Sequence, residues 1–167
     1  MSCLGVLFSV DQKTVDLIKE LLSDDERVDY IREVLEVDYF ENNPQWVYEL
    51  DKAWDGMHRT LTDGELEFDN DDYPLSHVIL GGEILCENDN YIIVLKDKEQ
   101  VLEIAAGVSK VSKEEFAKKY FLLDPDNYDS SVDEEDFEYT WAYFEDSISF
   151  WQKAAQENRS VLFTVDQ

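Results

Sequence analysis

The stretch SVLFTVD, residues 160–166, is short, apolar and β-branched, the pattern of a strand buried in a sheet. Far from it in sequence, CLGVLFSV at residues 3–10 has the same character. A strand near each terminus ties both ends of the chain into one small sheet, and predicts that 3–10 and 160–166 belong to one hydrogen-bonded unit. YIIVL, residues 91–95, is another strand, and helical patterns fill the gaps. Three or four strands far apart in sequence, with helices between them, make an α+β fold. The expectation is a single domain over residues 1–167, with a small mixed sheet that uses both terminal strands and packs against several helices.

The helices are read from periodicity and caps. Asp11 offers an N-cap to a helix carrying Val15, Ile18, Leu21 and Leu22, and Ser23, Asp24 and Asp25 break it and cap a second helix with Val28, Ile31, Val34 and Leu35. Residues 38–49, interrupted by Pro44, read as an irregular connection that packs its aromatic residues onto the domain. In LDKAWDGMHRTL, residues 50–61, Leu50, Ala53, Trp54, Met57, His58 and Leu61 share one helical face, and Gly64 closes the segment. Asp97 caps the next helix, and Ser112 with Glu115 forms a capping box for the one after. Phe137, Trp141, Phe144, Ile148, Trp151 and Ala155 form a heptad-like stripe widened by Tyr143, Phe150 and Ala154, which predicts a long aromatic-rich C-terminal helix at the centre of the core.

Composition narrows the function classes. The chain has 167 residues, with 14 Lys and Arg against 40 Asp and Glu, a net charge of −26. Four Trp, nine Tyr and nine Phe distinguish it from a disordered acidic tail, which is poor in aromatics. So strong an anion repels phosphate backbones and anionic lipid, which excludes nucleic acid and membrane surfaces as direct partners. Partners should be basic or neutral, a cationic protein, a metal ion or a small molecule, with a basic protein met by fast, salt-sensitive association, unless the acidity serves solubility alone. Cys3 and Cys86 do not make a disulfide framework, and MSCLGVLFSVDQ lacks the basic start of a signal peptide, so a cytoplasmic location is expected. No stretch approaches the ~18 apolar residues of a membrane span.

Few residues carry a chemical signal. His58 sits on the apolar helix face one turn after Trp54, either as a polar anchor or acid/base in a pocket or as a hydrogen-bonded core histidine. His77 reads as structural or exposed. Cys3, His58, His77 and Cys86 show no zinc spacing, and no metal site is expected. The loop from Asp124 places Asp124, Asp126 and Glu135 at calcium-loop positions, but Asp129 stands where the sharp turn needs glycine. Gly81-Gly82 before Glu83 marks a tight turn or a close backbone approach, and no nucleotide-binding glycine pattern surrounds it. No cofactor is implied, and no paired carboxylates or triad spacing single out catalytic residues.

Several segments together resemble the YfbM-like family, a bacterial domain of unknown function. They are CLGVLFSV (3–10), DKAWDGMHRTLTDG (51–64), PLSHVILGGEIL (74–85), VLEIAAGVSKVSKEEFAKKYF (101–121) and YTWAYFEDSISFWQKAAQENRSVLFTVD (139–166). The resemblance spans nearly the whole chain. It implies one small α+β domain, bacterial and cytoplasmic, and brings no catalytic residues with it. If the Trp54–His58 helix meets the Gly81-Gly82 turn, Trp54, His58, Thr62, Gly81, Gly82 and Glu83 would form its pocket.

Two functional readings follow. The first is a non-enzymatic acidic binding domain, of inhibitor or immunity type, for a basic protein partner. The second is a small-molecule or enzymatic pocket around Trp54, His58 and Gly82. They differ in one observable: the pocket reading needs His58 and Gly82 to line an open cavity with convergent polar groups.

Overall fold

The structure, a computed structural model, describes residues 3–167. The two terminal strands pair as expected. β1 (Gly5–Val10) runs antiparallel to β5 (Ser160–Asp166), from Gly5 opposite Val165 to Val10 opposite Ser160. β4 (Tyr91–Lys96) flanks β5 on its other side, β3 (Glu83–Glu87) pairs with β4, and β2 (Val47–Asp51) pairs with β1. The order is β2-β1-β5-β4-β3, and every neighbouring pair is antiparallel. The expected mixed sheet is thereby corrected. Each helical excursion between paired strands returns the chain to the end of the sheet it left, so the next strand runs back rather than alongside.

Alternation along the strands divides the core in two. Leu7, Val94, Val161, Phe163 and Val165 face one layer of helices: α4 (Ala53–Leu61), α5 (Lys98–Val108), α6 (Lys113–Tyr120) and α7 (Glu134–Gln156). Phe8, Val10, Ile93 and Leu162 face α1 (Gln12–Glu20) and the rod formed by α2 (Asp24–Tyr30), a π-helical turn at Ile31–Leu35 and α3 (Glu36–Asn42). A register shift between Ile84 and Cys86 lets Leu85 and Cys86 both reach this second face.

Local sequence explains most elements. Asp11, Ser23, Asp97, Ser112 and Asp133 each accept a backbone N–H of the first turn that follows them. The reciprocal capping box lies at Asp97 and Gln100 (2.9 and 3.0 Å), while Ser112 takes the Glu115 N–H at 3.1 Å. The stripe on α7 is covered within the chain: Phe137, Trp141, Phe144 and Trp151 are buried, and Phe116 of α6 stacks on Phe144 at 5.2 Å. Each such aromatic contributes on the order of 2 kcal/mol by leaving water.

Two stretches differ from expectation. The segment 38–49 is not irregular, because the rod continues to Asn42 and Val47–Asp51 is an edge strand. Ile31, Leu35 and Tyr39 carry the buried stripe of the rod through the π turn, whereas in β2 only Leu50 is buried, so the alternation of that strand is masked by its charges. Leu50 therefore belongs to β2, and α4 starts at Ala53. In α4 only Asp55 escapes full burial, which makes this helix a central one rather than a surface amphipath.

Candidate functional site

His58 projects from α4 into the protein and has no exposed surface. The Leu80 N–H donates to its Nδ1 at 3.4 Å, so Nε2 carries the proton and donates to Asn70 Oδ1 at 2.8 Å. Asn70 is held in turn by Asp63 Oδ1 at 2.8 Å. Burial pushes the imidazole pKa down to about 4, with the Asn70 hydrogen bond only partly opposing it. The ring is neutral at physiological pH, and both nitrogens are engaged. Thr62, also buried, donates to the His58 carbonyl at 2.7 Å and closes the last turn of α4.

The loop that receives His58 is fixed from the other side by Lys96, a residue that sequence reading passed over. Lys96 is completely buried at the end of β4, and its Nζ donates to the carbonyls of Ile79 and Gly81. It makes no ion pair among the described residues, and burial lowers its pKa far below the ordinary lysine value. The signal was present in phase: Lys96 follows Ile92 and Val94 at the strand period of two and so points into the same core.

The predicted site residues are thus brought only partly together. Trp54 is buried one turn before His58, with its Nε1 donating to the Cys3 carbonyl at 2.8 Å. Gly81 leaves no room for a side chain beside His77 and the Ser76 carbonyl. Gly82 has φ +138, and a Cβ there would run into the Leu95 carbonyl, so it meets both readings of the glycine pair as a turn and a close approach. Glu83 points elsewhere, pairing with Lys19 at 3.2 Å on the opposite helical layer. His77 is half-buried, bonded to Ser76 Oγ at 3.0 Å and edge-on to Tyr73 at 4.7 Å. Cys86 is buried, and desolvation pushes its thiol up to about 11, which leaves it unreactive.

Two clefts lie at the other end of the sheet, apart from a third of about 490 Å³ between Pro74, Leu75 and Gly107 that carries both acids and lysines. A cleft of about 670 Å³ has an apolar floor of Trp54, Leu80 and Ile92, and walls formed by Leu66, Phe68 and Tyr128. Asp55, Glu87, Asp89 and Asp129 line it with a single base, Lys52. A second cleft of about 400 Å³ at the same end carries Glu36, Glu49, Asp51 and Asp166 among Phe40, Tyr91 and Tyr143. Cys3, Ile92 and Gln167 line the first cleft, whereas Leu4, Tyr91 and Asp166 line the second. The neighbours Cys3 and Leu4, Tyr91 and Ile92, and Asp166 and Gln167 are thus divided between two clefts that share one end of the sheet. Of the six predicted pocket residues only Trp54 lines either one. The lining comes from loops distant in sequence, and no local motif marks it.

The acids in the first cleft are not alike. Asp55 accepts from Arg59 Nε at 2.6 Å, and burial nevertheless raises its carboxyl pKa, with the guanidinium offsetting only part of that cost. Glu87, Asp89 and Asp129 are exposed and make no ion pair among the described residues. Apolar floor and anionic rim together suit a ligand with an apolar body and a positive head. Among the described residues no group of three or more His, Cys, Asp or Glu side chains is placed to hold a metal ion, and no helix is long and apolar enough to cross a membrane.

Comparison with known proteins agrees with the fold. The crystal structure of YfbM from Escherichia coli, described as a protein of unknown function, superposes with a TM-score of 0.70 at 19% identity, covering 97% of this chain and 99% of that one. No curated protein matches the chain. The profile of DUF1877, a domain of unknown function, matches residues 1–164, nearly the whole α+β body described above, and the chain belongs to that family.

Proposed function

We propose that the protein is a non-enzymatic, cytoplasmic binding domain that recognises a basic protein partner through the cleft-bearing end of its sheet, in the manner of an inhibitor or immunity protein. The observation that carries this reading is the pair of clefts at one end of the sheet, lined by eight carboxylates and one lysine, with only Asp55 and Asp166 of the eight in ion pairs among the described residues. A field of that sign, backed by a net charge of −26, steers cations towards the end where the two clefts lie. The groups suited to acid–base or nucleophilic work support it from the other side, since His58, Lys96 and Cys86 are buried in internal hydrogen bonds.

The test is a titration with an arginine-rich peptide, read by calorimetry at low and high salt. Binding is expected at low salt and should weaken steeply as salt rises. Glu87→Gln, Asp89→Asn and Asp129→Asn together should remove most of it. Glu20→Gln, Glu99→Gln and Glu157→Gln, equally exposed but outside the clefts, should leave it nearly intact. Equal losses from both sets would show that charge acts without a site and would end this reading.

A further inference from the structure

We infer that the cleft over Trp54 is a receptor for one long-stemmed cationic side chain, an arginine in an extended segment of the partner, whose methylenes lie on the apolar floor while its guanidinium meets the acidic rim. This rests on the reading proposed above and names what the site takes.

The protein already binds its own guanidinium groups in this way. Next to the second cleft, Arg32 pairs with its lining residue Asp166 at 3.0 Å and lies over the ring of Tyr91, also in the lining, at 5.0 Å. Next to the first, Arg59, buried and not part of its lining, is held by the lining residue Asp55 at 2.6 Å and faces the ring of Tyr128, another lining residue, at 6.0 Å. One carboxylate and one aromatic face thus recur as the local device for a guanidinium. The first cleft offers a further set: Phe68 and Trp54 as apolar and aromatic surface, with Glu87, Asp89 and Asp129 on the rim. Its volume of about 670 Å³ is far more than a bare ammonium ion fills. Apolar floor without charge would suit any greasy side chain, and charge without floor any cation. The combination selects a cation with a stem. Arginine fits better than lysine because its planar, weakly hydrated head both stacks and bonds carboxylates in a fork.

The experiment compares short fluorescent peptides of equal charge by anisotropy. One carries arginine, and the other a homologue with a single methylene between Cα and the guanidine. Free butylguanidinium serves as competitor. The expected result is binding of the arginine peptide on the order of tenfold tighter than its short-stem homologue, because two methylenes leave water in one case only. Phe68→Ser should erase that ratio, and Asp129→Asn, on an exposed loop residue, should weaken the arginine peptide by about threefold to tenfold without changing the fold. Equal binding of both peptides would overturn the inference and leave the acidic-face reading standing. Binding by neither would overturn both. Full displacement by butylguanidinium at concentrations matching the peptide would assign the cleft to a small organic cation and overturn the side-chain assignment.

Discussion

The two ends of the sheet differ in the charge they leave unpaired, although Arg32 and Arg59 are ion-paired at the cleft-bearing end as well. At the end where β4 finishes, cations are drawn into structure. Lys96 ties down the 79–81 segment, Lys19 pairs with Glu83, and Arg159 donates to Ser9 Oγ and Ser9 O (3.1 and 2.8 Å) while covering Trp46 at 4.2 Å. At the end where β1 starts, Glu87, Asp89 and Asp129 stand in water around a cleft. A buried ionisable group is tolerated when its hydrogen bonds satisfy the neighbouring polar atoms, as those of Lys96 and His58 do. An exposed carboxylate surplus contributes little to holding the chain together, and its cost is self-repulsion. The comparison separates groups that maintain the fold from groups available for recognition.

The largest expected effect falls on the closed end. Gly82→Ala must place a side chain at φ +138 against the Leu95 carbonyl, and a loss of about 3 kcal/mol in urea unfolding is predicted. A cost below about 1 kcal/mol would mean that this turn is not the lock described here. Lys96→Met keeps the apolar stem but strips the donors from two buried carbonyls, for a predicted loss of about 2 to 3 kcal/mol. The pH dependence should change too. Because burial depresses the folded pKa of Lys96, the native protein gives up this proton at lower pH than the unfolded chain does, so this group makes wild-type stability rise with pH up to the ordinary lysine range. The Met variant should lack that component. Parallel stability curves for the two proteins across the alkaline range would contradict a depressed Lys96 pKa.

His58 gives a smaller effect in the acid range. Its folded pKa near 4 lies below the ordinary 6.5, so its contribution is complete above pH 6.5 and is lost as pH falls through 4. Between pH 7 and pH 5 this amounts to about 2 kcal/mol. Carboxyls such as that of Asp55, raised by burial, work in the opposite direction over the same range, so the measurement is the difference from His58→Gln, which cannot titrate there. Wild type and variant that lose stability in parallel would show that the imidazole is not the neutral, doubly bonded group of this geometry.

Much of the closed architecture was legible because its signals are local. The terminal strands, the caps at Asp11, Ser23 and Asp97, and the aromatic stripe of α7 each rest on a few adjacent residues or one periodicity. β2 was not legible, since an edge strand with one buried residue has almost no pattern to read. Strand direction was not legible either, because it follows from how whole helices return the chain. For the site, Trp54 and the approach of His58 to the glycine turn were within reach, the latter through Leu80. The cleft itself was not. The Leu66–Phe68 stretch, Glu87 and Asp129 lie far apart in sequence, and only the tertiary fold makes them neighbours.

The smallest predicted effect is the most discriminating. Neutralising Glu87, Asp89 and Asp129 together should change unfolding free energy by no more than about 0.5 kcal/mol, and in the stabilising direction. These carboxylates accept no hydrogen bond from the described residues and lie outside every ion pair among them, so their removal breaks nothing and relieves repulsion within a body of charge −26. Added salt should reproduce most of that gain in the wild type by screening, and less of it in the variant. A marked loss of stability would mean that the open end, like the closed one, builds its charges into the fold. An unchanged or firmer protein that no longer holds an arginine-rich peptide would separate recognition from stability at these positions, since the same residues would then matter to a partner and not to the chain that carries them.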